Sequence, residues 1–155
     1  MLKLKIWAIT TFLSLIIFGA VPVPVCAGKS LYGNVTGVKS AEVVTLDYVG
    51  GRYDIRIAGI DVPKQGPFAT KAKQFVANLV FGKNVRIRFQ GRTPKGEMLG
   101  RLDTDDTVIG IKEAAVELVR AGLARVQKDY DGELSKAESE AREAKHGIWA
   151  MAQPR

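Results

Sequence analysis

Short stretches in which apolar and polar residues alternate recur along the chain, and that period of two predicts strands. Leu31 to Val38 is the first, with Gly33 as a candidate bulge. Glu42 to Val49 (EVVTLDYV) is β-branched and predicts a second strand. Gly50-Gly51 marks a hairpin, and Arg52 to Ile57 returns as the third strand. The period then changes. Pro67 to Phe81 carries Phe68, Ala72, Phe75, Val76, Leu79 and Val80 at helical spacing, and Gly82 stops it. Asn84 to Phe89 sets Val85, Ile87 and Phe89 against Arg86 and Arg88, a strand with one basic face. Gly91 to Gly96 reads as a loop and Met98 to Leu102 as a fifth strand. Gly110 to Arg120 reads as a helix ending at Gly122. Gly132 to Lys145 reads as a charged helix with Leu134, Ala137, Ala141 and Ala144 inward. Gly147 ends that helix, and Ile148-Trp149 is expected to pack back as an anchor. Five strands with a helix before the fourth suggest a small closed barrel with helices beside it.

One stretch concentrates candidate chemistry. In Ile55-Arg56-Ile57-Ala58-Gly59-Ile60-Asp61-Val62-Pro63, β-branched residues alternate around Arg56. Gly59 permits a tight turn, and Pro63 ends any ladder and holds Val62 extended. Arg56 and Asp61 are therefore expected near a strand end, a guanidinium for a phosphate and a carboxylate for a cation. Taken alone, the same pattern fits an edge strand with two solvated charges.

The first residues stand apart. Lys3 and Lys5 precede an apolar run from Ile6 to Ala20, and Val25-Cys26-Ala27 offers small residues for cleavage. This is the layout of a secretory signal peptide over 1–27, leaving a domain over 28–155. The competing reading is a retained membrane anchor, disfavoured by the short run and by Pro22 and Pro24. Cleavage after Ala27 would remove Cys26, the only cysteine, and with it any disulfide or thiol chemistry. It would leave no stable membrane span, and the expected location is secreted or periplasmic.

Charge changes the picture further. Removing Lys3 and Lys5 lowers the net charge from +7 to +5. Residues 28–101 hold 13 basic and 5 acidic side chains, and residues 102–155 hold 8 and 11. A basic front half suits a polyanion, nucleic acid first and a membrane surface second. With one histidine, His146, at a helix end, and no cysteine after cleavage, no zinc site is expected.

From about Leu31 to Trp149 the chain resembles the staphylococcal nuclease (thermonuclease) family. The segments RIAGIDVP, KAKQFVANLVFGKNVRI, ELVRAGLARV and EAREAKHGIW carry the resemblance, in order and at matching spacing. It implies an α+β chain that is mainly barrel, an OB-fold of five strands with three helices. It also implies a calcium-dependent phosphodiesterase acting on DNA and RNA; apart from the resemblance, a monomer is expected. In that chemistry two aspartates hold calcium. A glutamate positions or deprotonates water, and two arginines neutralise the phosphate in the transition state.

The motifs typical of that family are D-G-D-T, R-x-x-x-x-D-x-P-E and Y-G-R. Arg56 matches the first arginine and Asp61 one metal aspartate. Ser40-Ala41-Glu42-Val43 stands at D-G-D-T, which makes Glu42 the other candidate calcium ligand. Lys64 stands where the glutamate should be, and Glu97, in Lys95-Gly96-Glu97, where the second arginine should be. Glu97 is the only glutamate between Asp61 and Leu102, so no local slip restores the base. Lys64 and Glu97 are expected on one pocket wall, close enough to pair directly or through water. Arg101 is no substitute arginine, because four strand residues place it about 13 Å from Glu97. It is expected to contact backbone phosphate or to be a surface charge.

Arg86, Arg88, Arg92, Lys95 and Arg101 are the candidate nucleic-acid contacts. Tyr130 matches a tyrosine of the nucleotide pocket, or is an exposed packing tyrosine. Asp103-Thr104-Asp105-Asp106 reads as a solvated turn rather than a calcium loop, and Asp106-Thr107-Val108 echoes D-T-V at the wrong place. The functional expectation is a secreted thermonuclease-like domain with lost or weak catalysis that binds nucleic acid or another polyanion. The alternatives are an active calcium-dependent endonuclease and a protein-interaction module on an OB barrel.

Overall fold

The computed structural model describes residues 29–106, 110–128, 130 and 132–151. The leader-like residues 1–27 and the Thr107-Val108 pair lie outside them. Strands β1 (Ser30–Val38), β2 (Val43–Tyr48) and β3 (Gly51–Ile57) form an antiparallel meander. The hairpin expected at Gly50-Gly51 is present, one residue earlier: Tyr48 pairs with Gly51 around Val49 and Gly50. Helix α1 (Pro67–Val80) follows, then β5 (Asn84–Arg92) and β6 (Met98–Asp106). β1 pairs with β5, β5 with β6, and β6 closes on β3 in parallel through Ile55↔Met98, Arg56↔Leu99 and Ile57↔Gly100. The result is a closed five-stranded mixed barrel with three helices, the OB-type α+β fold expected from the sequence.

The inward side of each strand supplies the core. Val35, Val44, Leu46, Ile55, Ile57, Val85, Ile87 and Leu102 are buried, each at the inward phase of the two-residue period. α1 turns Ala72, Val76 and Val80 inward, while Phe68, Phe75 and Leu79 are only partly covered. Helix α2 (Ala114–Arg120) buries most of its length, and α3 (Glu133–Glu143) lays Leu134, Ala137 and Ala141 inward. The Ile148-Trp149 anchor forms a short 3₁₀ turn (Gly147–Ala150), with the Trp149 ring centre 4.2 Å from the Arg142 guanidinium and 5.3 Å from Arg125. Among the described residues no helix is long and apolar enough to cross a membrane.

Three expectations are corrected. The Gly110–Arg120 helix begins at Ala114, because Gly110–Glu113 is a strand, β7, paired with β6 through Asp103↔Glu113. Asp103 and Thr104 are likewise no solvated turn; β6 runs on through Asp106, and Asp103 is buried. In both, cross-strand charge pairing overrides local propensity. The irregularity expected at Gly33 falls between Val35 and Gly37.

Gly59 shapes the approach to the candidate site. Its φ is +85°, which turns the chain from β3 into the short strand β4 (Ile60–Asp61), paired with β8 (Arg125–Val126). A Cβ there would stand 2.8 Å from both Leu134 Cδ1 and Tyr130 Cδ1. Gly59→Ala should destabilise the fold by about 2–4 kcal/mol, from the disfavoured φ together with the overpacking. Urea denaturation checks it, and a change within about 0.5 kcal/mol, as at a plain surface position, would refute the packing argument.

Candidate functional site

The segment before β2, the middle of β3 and the turn after β4 meet where β3 closes on β6. Glu42 sits just ahead of β2. Its carbonyl accepts a hydrogen bond from the Ile57 N–H at 2.8 Å. Ser40 Oγ accepts from the N–H groups of Glu42 and Val43 at 3.3 and 3.1 Å. These bonds fix the Glu42 side chain, which is only 10% exposed. One carboxylate oxygen accepts the Val62 N–H at 2.9 Å. The other accepts Arg56 Nη1 at 2.6 Å and lies 3.6 Å from Lys64 Nζ.

Arg56 uses its other edge on Glu97. Nε donates at 2.8 Å to one oxygen and Nη2 at 3.5 Å to the other. Thr93 Oγ1 also donates to Glu97, at 3.2 Å. Hydrogen bonding to Glu97 is the main cause that raises the Arg56 pKa, and hydrogen bonding to Arg56 is the main cause that lowers that of Glu97. The four side chains alternate in sign, Lys64, Glu42, Arg56, Glu97, and sum to zero charge.

Two clefts flank this row. One, of about 440 Å³, is lined by Glu42, Arg56, Lys64, Lys39 and Lys73, with Ala69 and Thr70 of α1 on its side. The other, of about 210 Å³, lies between the β2–β3 and β5–β6 hairpins and is lined by Arg52, Tyr53, Asp54, Arg92, Lys95 and Glu97. Arg56 borders the first and Glu97 the second, so their ion pair stands between the two. Lys39 of the first cleft is itself paired with Asp54 at 2.5 Å.

The structure brings Glu42, Arg56, Lys64 and Glu97 together and leaves other predicted residues elsewhere. Lys64 and Glu97 do not pair with each other. Arg56 stands between the two carboxylates, and its fork of donors takes one on each edge while Lys64 reaches only Glu42. Asp61 is exposed on β4, with Arg125 as its register partner. Arg86, Arg88 and Arg101 are not a free basic face. Arg86 donates twice to Asp103, at 3.1 and 2.9 Å. Arg88 bridges Asp103 and Glu113 at 2.8 and 3.1 Å, and Arg101 pairs with Glu113. The register Arg86↔Asp103↔Glu113 places these charges side by side. Arg92 donates to the Gly96 carbonyl at 3.1 Å. Tyr130 packs its ring on Gly59 and donates its hydroxyl to Gln90 at 2.9 Å, so it reaches neither cleft. His146 sets a ring nitrogen 3.4 Å from the Arg120 carbonyl, beyond the end of α3.

Sequence reasoning missed Lys39, Lys73, Arg52 and Tyr53 as cleft residues. The signal for Lys73 was its place one residue past Ala72, on the rim of the α1 face. Arg52 and Tyr53 carried none, because only the closure of β3 on β6 brings their hairpin beside the loop at residues 93–97.

Calcium takes about six to eight oxygen ligands. Here both Glu42 oxygens are already engaged, one by an N–H and the other by two cations. Among the described residues no three Asp, Glu, His or Cys side chains converge. The donor set therefore does not fit calcium.

The chain matches the family described as staphylococcal nuclease homologue over residues 54–151. It is 29% identical over 127 residues to an uncharacterised endonuclease of Escherichia coli O157:H7, covering 80% of each chain. It is 32% identical over 111 residues to an uncharacterised 38.1 kDa protein of Capnoides sempervirens, covering 70% of this chain and 31% of that one. A probable staphylococcal-like nuclease of Oryza sativa subsp. japonica is 27% identical over 106 residues, covering 66% and 30%. The chain thus spans about a third of the length of these plant relatives.

The Glu97 pKa is lowered in the fold, so its ion pair stabilises above the ordinary glutamate range and ceases to as pH falls through the lowered value. Parent and Glu97→Gln should differ in urea stability at pH 7, the parent being the more stable, and converge in strong acid. A gap unchanged with pH would show that the Arg56–Glu97 charge pair is not its source.

Proposed function

This chain belongs to the staphylococcal nuclease family, and on that premise we propose that it is a metal-independent nucleic-acid-binding domain whose calcium-dependent phosphodiester hydrolysis is lost or greatly weakened. The observation that carries this reading is the neutralised Glu42 carboxylate. A cation entering there would displace Arg56 and approach the Lys64 ammonium. Lys64, at the position the resemblance gives to a glutamate, cannot take a proton from water while it is charged. Glu97, at the position given to an arginine, engages Arg56 and presents a negative charge to any phosphate. Loss of one transition-state donor costs about 10²–10³ in rate, and here two roles are altered.

Binding needs less than catalysis. Lys64, Lys73, Arg52 and Lys95 line the two clefts and suit a polyanion without base readout. Export of the chain is part of the same reading and rests on the pattern of residues 1–27.

The retained Arg56 and Asp61 favour the second reading, an active calcium-dependent endonuclease. Digestion of supercoiled plasmid and of a fluorescent single strand, each with calcium and with EDTA, separates the two. The expected result is no calcium-dependent cleavage together with binding of the single strand that weakens steeply with salt. Calcium-dependent cleavage at a rate ordinary for a nuclease would overturn the proposal. Salt-independent binding would remove the polyanion part.

A further inference from the structure

We propose that the Glu97 carboxylate stands on Arg56 in place of a phosphate, and that a phosphodiester of a bound single strand displaces it and joins the two clefts into one groove. The inference rests on the polyanion-binding reading and adds where the strand lies and what it must move. Arginine engages carboxylate and phosphate through the same fork, two N–H groups on two oxygens. Glu97 uses that fork, with Nε and Nη2 of Arg56 directed at its two oxygens.

The position of Glu97 makes the exchange possible. It closes the short β5–β6 loop, whose other bonds are its own: Thr93 N–H to the Glu97 carbonyl at 2.9 Å, Gly96 N–H to the Thr93 carbonyl at 2.9 Å, and Arg92 to the Gly96 carbonyl. The Glu97 side chain can swing away without breaking strand pairing. Glu42 cannot, since it is buried and holds the Val62 N–H as well as Arg56. The arginines of the outer face are also locked, because their carboxylates Asp103 and Glu113 are buried. Among the arginines of the barrel strands, Arg56 is thus the one paired with a loop carboxylate, whose departure costs the ion pair and the Thr93 hydroxyl bond alone.

The surroundings suit the incoming strand. Lys64 and Lys73 flank Arg56 in the larger cleft, and Arg52 and Lys95 line the smaller one beyond Glu97. Tyr53, half-buried against the core, forms part of the wall of the smaller cleft. Without displacement, the Arg56–Glu97 pair stands between these two groups of cations, beside the exposed Lys39–Asp54 pair, whose members line the larger and the smaller cleft.

The test is binding of a fluorescent oligothymidylate in EDTA at low salt, followed by anisotropy, for the parent, Glu97→Gln and Glu140→Gln. Glu140 is paired with Arg120 and lines neither cleft, so it controls for net charge. If Glu97 occludes the phosphate position, only a fraction of the parent is competent, and Glu97→Gln should bind roughly tenfold tighter. Glu140→Gln should change affinity by less than about twofold, as expected for a distant screened charge. Adding Arg56→Met to Glu97→Gln should abolish the gain. In the parent, the Arg56 Nε–H NMR resonance should move as the oligothymidylate is added. If the parent binds but the two glutamine variants gain equally, the displacement is wrong and the polyanion reading stands. If the gain survives Arg56→Met, the phosphate is not on Arg56. If no variant binds, both ideas fall.

Discussion

A single guanidinium joins the two carboxylates at this end of the barrel. Arg56 projects from β3 between a buried carboxylate just ahead of β2 and a loop carboxylate just ahead of β6, the two strands that flank β3. Each partner depends on a different piece of backbone. Glu42 is placed by the β2–β3 ladder and by Ser40, while Glu97 is placed by the parallel closure of β6 on β3. Removing Arg56 would leave Glu42 with one N–H and a distant ammonium in a poorly solvated position, and stranded charges of that kind are far costlier than the pair itself is stabilising. The arrangement is therefore a device for placing charges more than a source of net stability.

Much of the fold was legible because the barrel strands are half-buried and alternate cleanly, and because α1 and α3 carry helical periods. Val85-Ile87 against Arg86-Arg88 is a strand on pattern alone, and the structure agrees. The start of α2 was not legible. Gly110 to Glu113 lacks a strong strand signal, and it becomes a strand because Glu113 finds Arg88 and Arg101 across the sheet. That information lies far away in the sequence, where a local window does not reach.

The site divides in the same way. Arg56, Lys64, Glu42 and Glu97 could be singled out one by one from motif positions. Their connectivity could not, since it depends on how Arg56 and Lys64 share the carboxylates of Glu42 and Glu97. The expected Lys64–Glu97 pair failed for this reason: both ends were placed at the right site, but Arg56 was not counted as a competitor for them. The basic face failed for a related reason. Counting Arg86, Arg88 and Arg101 ignores Asp103 and Glu113, which the register sets beside them. Formal charge in a sequence is an upper limit on what a surface can offer a polyanion.

The seam that closes the barrel is short, three residues of β3 against three of β6, joined through a long intervening chain. Contacts between residues so distant in sequence carry a large loop-closure entropy and tend to form after the local hairpins. The meander β1–β2–β3 and the hairpin β5–β6 can each assemble without it. Arg56 and Glu97 lie on opposite sides of that seam, so their pairing is completed only in the last stage of assembly. A transient opening of the seam in the native protein would part them while most of the core stays packed. Those amide protons of residues 98–100 that point to β3 would then exchange with solvent in step with the breathing of the charge row, while those bonded to β5 would stay protected.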